Sequence, residues 1–493
     1  LRAAFLNPSH SSVPNGARAE SRPGALAVRF WLGWMLAYTA WAWAGLRPSF
    51  HWAGMAASVV LLAVVLRHAF RAVVRDPVFW LGLCFTGFLL VQWANAGREQ
   101  YFDVGYHRWM YTAPRWPGWP SAYARAEAWQ MVTWFFPAWV VAASFRCRLM
   151  SRREVRGLLF FLVCQAGALA LFGMVQLASG TEAIYWVQPL KGHFFASFTY
   201  GNHAAPYFVL AGALAAGLLF SEVLDARLAE ANGGRARLRR PIRVGVLIAV
   251  LLLCLAGALL GFSRTGMILT GGLVVCLAGY GLVRGWMILP PAGRLNLAAL
   301  TVAAVGSLYF AVASLGERGI RQEFTLRESF AGEVPKTLWE RIELELGYRP
   351  QFARAAVKVW LEEPWFGAGG WGYKYRVADY VPEKFWDNLS RRGWANTHMD
   401  ALQFLAEFGV AGMGLLLAAL AAMGARLFGR GVRRGALWFM GVKGLLLVVV
   451  FSLIDLPFRC PAILLTWVAV LGALPAACKV TAATSRREST GWK

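Results

Sequence analysis

Long apolar runs, each about the length of a bilayer core and parted by short polar or basic stretches, set the pattern of this chain. The runs are continuous rather than alternating, so they read as helices and not as the strands of a barrel. Twelve spans are predicted, at 26–46, 52–68, 78–96, 126–145, 156–178, 204–221, 243–262, 265–284, 296–315, 401–425, 436–454 and 460–478. The expected fold is an all-α polytopic membrane protein. Residues 1–25 and 479–493 are expected as cytoplasmic tails, 26–315 as transmembrane helices 1–9, 316–400 as one large periplasmic loop carrying short helices, and 401–478 as helices 10–12.

Charge fixes the orientation. The basic segments Arg67–Arg75, Arg146–Arg156, Arg227–Arg243 and Arg426–Arg434 all fall on one side if the spans alternate, and excess Arg marks the cytoplasmic side. The net charge of +24, which in a soluble protein would suggest nucleic acid, is then largely positive-inside charge, and no nucleic-acid partner is expected. The 58% hydrophobic and 15% charged composition agrees with a membrane chain. The seven Cys form no Cys-x-x-Cys pair, so neither a disulfide nor a zinc site is expected. The residues up to about Pro23 are polar and lack the apolar region of a signal peptide.

Three segments face outward. Residues 97–125 are rich in Trp, Tyr and Arg; such rings either form a belt at headgroup level or stack on sugar faces in a groove. Residues 179–203 end in Ser197-Phe-Thr-Tyr-Gly-Asn-His203. Residues 316–400 show amphipathic helical patterns at 336–346 and 350–361, the second with Phe352, Ala356, Val359 and Trp360 on one side. Pro364 and the Gly367–Gly370 run stop that helix.

His398, in Asn396-Thr-His-Met-Asp400, stands just before span ten. Thr397 and Asp400 have the spacing of a capping box, which would place His398 in the first turn of the helix. That positive helix end attracts anions and disfavours imidazolium, so His398 reads either as a general base or as an interfacial His without chemistry. Arg264, in Gly261-Phe-Ser-Arg-Thr265, joins two spans with almost no loop. Its planar fork suits a phosphate; otherwise it snorkels to headgroups. Arg349 and Arg354 lead into the 350–361 helix but, five apart, do not share a face. Arg318, Arg321, Arg327 and Arg341 add charge to the same loop, as a solvated face or toward an anionic partner. Asn202 is expected as the N-cap of span six, beside His203. Asp455 and Arg459 flank Pro457 and read as a salt-bridged pair at a turn. No Walker or His-Glu-x-x-His motif occurs, and no Asp-x-Asp pair lies in an outward loop to hold a metal-bound diphosphate.

In this order the motifs resemble the O-antigen ligase/polymerase superfamily of bacterial cell-surface glycan enzymes. The elements are Phe198-Thr-Tyr-Gly-Asn-His-Ala204, Ser263-Arg264, Arg349 through Pro364-Trp-Phe-Gly-Ala-Gly369, His398-Met-Asp-Ala-Leu-Gln-Phe-Leu-Ala-Glu-Phe-Gly409 and Ser452-Leu-Ile-Asp455. The resemblance covers roughly 195–470. It departs from the family at Met399, where Asn is frequent, and in the 197–204 segment, which lacks the first of two usual Asn.

The resemblance implies a multi-pass protein of the bacterial inner membrane whose active site faces the periplasm. It implies transfer of a glycan from undecaprenyl diphosphate to an acceptor hydroxyl without metal or other cofactor. His398 would be the base, and Arg264 with Arg349 or Arg354 would hold the diphosphate. Inversion at the anomeric carbon is the expected outcome. The acceptor is lipid A–core for a ligase and a second lipid-linked glycan for a polymerase. Arg321 and Gly332 fit the Arg-x10-Gly spacing often ascribed to polymerases, a match that chance also supplies. A different class, a glycan transporter, would place its charges at the midplane on broken helices within repeats; here they cluster at one interface.

Overall fold

The computed structural model describes residues 24–97, 100–106, 108–190, 193–231, 241–288, 293–295, 349–383 and 396–479, with isolated positions between them. The predicted ninth span at 296–315, the 336–346 pattern, Gly332, and Arg318, Arg321, Arg327 and Arg341 lie outside the described residues, apart from isolated positions in the span.

The helices are α1 (Ala25–Trp41), α2 (Pro48–Val74), α3 (Pro77–Ala94), α4 (Arg125–Arg146), α5 (Arg152–Ala178), α6 (Gly201–Ala231), α7 (Pro241–Leu260), α8 (Arg264–Ile288), α9 (Arg349–Glu362), the single turn α10 (Tyr373–Arg376), α11 (Asp400–Leu427), α12 (Ala436–Phe451) and α13 (Pro461–Ala477). The protein is all-α and polytopic. Seven of these helices are long and apolar enough to cross a membrane, and α12 and α13 are shorter apolar helices. Strand structure among the described residues is slight: an antiparallel hairpin of β1 (Gln100–Asp103) and β2 (Arg108–Tyr111), and the two-residue pair β3 (Ala183–Ile184) and β4 (Gln188–Pro189). The hairpin lies in the aromatic 97–125 segment, which Asn95 anchors through bonds to the Trp116 and Pro120 carbonyls.

α6 is the buried centre. It packs against α7, α8, α12 and α13, and Ala205, Tyr207, Phe208 and Leu210 are fully enclosed. One end of the bundle is tied by Asp76, 4% exposed. Its carboxylate caps α3 at Val78 N, takes the Arg146 Nε at 2.8 Å and takes Arg426 at 2.8 Å, so α3, α4 and α11 meet on one acid.

A second small core sits at the other end, where Phe352, Ala355, Ala356 and Val359 of α9 pack with Tyr123, Tyr373, Tyr375 and Ala406. Phe352, Ala356 and Val359 are thus buried as the 350–361 pattern requires, while Trp360 is only half-buried.

α11 is broken. At Gly409 the backbone turns to φ 60°, ψ −168°, a conformation open essentially to glycine alone. The run of turns and bends at 364–372 inserts there. Val410 N donates to Pro364 O at 2.8 Å and Ala411 N to Trp365 O at 3.0 Å; Ala368 N donates to Ala406 O and Gly369 N to Glu407 O, each at 2.9 Å. Backbone groups freed inside an apolar bundle are costly unless something else bonds them, and this loop does so. A Cβ on Gly409 would lie 2.4 Å from Trp365 C, and one on Gly367 2.4 Å from Glu407 C. The run Gly367-Ala-Gly-Gly-Trp-Gly372 has the glycine spacing of a dinucleotide fingerprint, but it follows a helix rather than a strand, and its glycines serve this close approach.

Candidate active site

The turn between α12 and α13 carries Asp455 into a cluster drawn from four distant segments. His398 Nδ1 lies 3.4 Å from Asp455 Oδ1, a long hydrogen bond. Asn202 Nδ2 donates to Asp455 Oδ2 at 2.7 Å, and the Tyr200 hydroxyl donates to the same oxygen at 3.4 Å. Leu456 N donates to Oδ1 at 2.9 Å. His203 Nε2 is 3.2 Å from the Leu456 carbonyl, so it holds the same turn from the other side. Asp455 is 1% exposed. Burial alone would push its carboxyl up; the His398 hydrogen bond and charge, the neighbouring His203 and the Asn202 amide outweigh that and hold it below the usual carboxylate range.

Arg264 opens α8 directly after the bend at Phe262, which has φ 47°. That bend packs on the start of α6: a Cβ on Gly201 would meet Gly261 O at 2.7 Å, and one on Gly261 would meet Gly201 O at 2.9 Å. The N-termini of α6 and α8 therefore adjoin. α11 joins them, because Asp400 N donates to Ser452 O at 3.0 Å in the Asp455 turn. Three positive helix ends on one cluster favour a bound anion.

Four sequence expectations change here. His398 is not in the first turn of α11, which begins at Asp400 with Met399 as its N-cap and no side-chain cap bond. His398 precedes the helix in a left-handed conformation, φ 52°. Thr397 does not form a capping box with Asp400: its hydroxyl accepts from Met399 N at 3.0 Å, and Asp400 Oδ2 instead accepts from Phe458 N at 2.9 Å. Asn202 is not an N-cap, since α6 already starts at Gly201 and the amide is spent on Asp455 and Tyr200. Asp455 and Arg459 do not pair with each other. Arg459 pairs with Glu407, and both are buried, at 3% and 0% exposure.

Glu407 is the residue that sequence reasoning passed over. It takes Trp371 N at 3.0 Å and Gln403 Nε2 at 3.0 Å besides Arg459. Gln403 in turn accepts from Thr397 N and donates to Asn396 Oδ1, each at 3.0 Å. This polar chain pins the segment that presents His398. A carboxylate inside an apolar span was the signal, because such a group is costly unless it has a task.

Arg349 is half-buried at the start of α9, and Arg354 is exposed on the face away from Phe352 and Val359. They stand on one continuous helix and so on different faces. α9 packs against α11. A groove of about 270 Å³, lined almost wholly by apolar groups, runs between α3, α4, α11 and α13 and reaches Asp400.

Residues 249–417 match a family model described as O-antigen ligase. That match, over about a third of the chain, supports a likeness to the O-antigen ligase/polymerase superfamily. The matched family has, in general terms, ligase or polymerase activity of the glycosyltransferase kind. Arg264, Arg349, Arg354, His398, Glu407 and Gly409 of this O-antigen ligase-like chain lie within the matched residues, whereas Asn202, His203, Asp455 and Arg459 flank them. No curated protein matches the chain.

Proposed function

We propose that the protein transfers a glycan from undecaprenyl diphosphate to an acceptor hydroxyl, with lipid A–core as acceptor, on the periplasmic side of the inner membrane. The observation that carries this reading is the His398–Asp455 pair, set where three helix N-termini and the Arg264 turn converge. Asp455 fixes Nδ1 of the ring, and Nε2 takes the proton of the acceptor hydroxyl. The acceptor oxygen bonds to the anomeric carbon as the bond from that carbon to the phosphate oxygen breaks. Its electron pair stays on the diphosphate. Arg264, with Arg349 or Arg354, stabilises that charge as it develops. The apolar groove that reaches Asp400 suits the polyprenyl tail.

The test follows release of undecaprenyl diphosphate by purified protein, with lipid A–core present or absent and His398→Ala alongside. Release that needs both His398 and lipid A–core is the expected result. Release with growth of the lipid-linked glycan and no need of lipid A–core would reassign the enzyme as a polymerase. No release with any acceptor would sink the transferase reading in favour of transport. Arg264→Lys should lose most of the activity, because a point charge does not replace the fork; a full rate would remove Arg264 from the diphosphate site.

A further inference from the structure

At the opposite end of the bundle lies a second cavity, of about 250 Å³, lined by Arg152, Arg156, Arg284, Arg433 and Arg434. It is formed where α5 and α12 begin and α13 ends, with α6 and α8 alongside. α12 has 16 residues and runs from this cavity to the turn before Asp455, so the two sites stand about 24 Å apart along it.

Among the described residues, no carboxylate lines the cavity. The acids nearest in sequence to its walls are engaged elsewhere: Glu154 closes the capping box of α5, and Glu222 faces Arg243 at 3.5 Å. Two of the guanidinium groups lie against rings, Arg284 over Tyr280 and Arg434 over Trp438, each at 5.8 Å. Arg152 Nε donates to the Ala477 carbonyl at 3.0 Å. The Nε of Arg156 is buried with no hydrogen-bond partner among the described residues. The first turn of α12, Ala436–Trp438, borders the same space, and its N-cap, Gly435, offers no side-chain cap.

Positive-inside charge accounts for arginines on this side but not for five that line one cavity. The pocket is open, with Arg284, Arg433 and Arg434 exposed and Arg152 and Arg156 half-buried, but like charges gathered on one wall still repel one another and attract an anion. A phosphate oxygen accepts from several guanidinium forks and from a helix N-terminus at once. Basic pockets between transmembrane helices on this side of a bilayer suit anionic headgroups. Trp438 and Tyr280 provide the aromatic anchors that sit at headgroup depth.

We propose that this cavity is a phosphate-binding site, filled by the headgroup of an anionic phospholipid or by a soluble phosphate. It is separate from the His398 site and does not depend on the reaction assigned there.

The experiment uses the full chain, Arg156→Gln/Arg284→Gln, and the control Arg71→Gln/Arg75→Gln, whose arginines leave α2 away from the cavity. Each is melted in phosphatidylcholine nanodiscs with and without phosphatidylglycerol, and in detergent with and without inorganic phosphate. Bound lipid is weighed by native mass spectrometry. The wild type and the control should be stabilised and should bind the anion, and the cavity variant should bind at least about tenfold more weakly. Stabilisation by phosphatidylglycerol alone assigns the site to a lipid; stabilisation by inorganic phosphate assigns it to a soluble anion. Equal binding by the cavity variant and wild type, or equal loss in the control, overturns the proposal. If the cavity variant does not fold, a photoreactive phosphatidylglycerol is crosslinked to wild-type protein. Labelling of 433–438 supports the site; labelling only elsewhere, with no stabilisation of the wild type by inorganic phosphate, overturns it.

Discussion

His398 is held in a backbone conformation that disfavours any side chain with a Cβ, at roughly 1–2 kcal/mol. Such strain persists where the surroundings over-determine it, and here Gln403 and Thr397 do so. His398→Gly should therefore abolish transfer yet melt no lower than wild type, since the lost strain offsets the added freedom of glycine; a melting point well below wild type would make the residue structural. Asp455→Asn keeps the shape but removes the charge that orients the ring, and should cost roughly 10²–10⁴ in rate. The depressed carboxyl of Asp455 also bears on stability. Its contribution is full above the unfolded carboxylate range, about pH 4, and is lost as pH falls through the lower folded value. Melting temperature should fall with acid in the wild type and less steeply in Asp455→Asn; parallel curves would contradict this. His398 and Asp455 were both legible in the sequence, but not their pairing, because they are 57 positions apart and neither motif carries the other's register.

Among the elements, the break in α11 organises the most. Gly409→Ala forces a Cβ into the Trp365 backbone at a positive φ, and Gly367→Ala does the same against Glu407. Each should destabilise by about 2 kcal/mol or more and lower activity through the polar chain below His398. A variant with wild-type melting and turnover would show that the loop does not stitch the break. The Glu407–Arg459 pair adds to this. Arg459→Met leaves a buried carboxylate alone and should cost about 3–5 kcal/mol, and adding Glu407→Gln should restore much of that. Calorimetry or thermal melts of the two variants decide it. The helices themselves were largely legible: span 126–145 is met by α4 at Arg125–Arg146 and span 436–454 by α12 at Ala436–Phe451. Hydrophobic runs reveal helices because lipid leaves the backbone no other choice. They do not reveal the Gly409 break, since Phe408 through Leu417 reads as one apolar stretch.

For the whole molecule, the expected orientation is testable in intact cells. In a background without the native Cys, Pro382→Cys should react with a membrane-impermeant maleimide, whereas Arg430→Cys should react only after permeabilisation. The reverse pattern would invert the topology and move the His398 cluster to the cytoplasmic face. Asp76, Arg146 and Arg426 bind α3, α4 and α11 at the Arg430 end, so the bundle is fastened there while the broken helix shapes the other end.

The four segments of the cluster, at Asn202, Arg264, His398 and Asp455, leave the ribosome in that order. While the nascent chain is being inserted, His398 has no Asp455 beside it until the last helical hairpin has entered the bilayer. Under the proposed function, a half-made molecule is therefore inert, and chemistry begins only when assembly is complete.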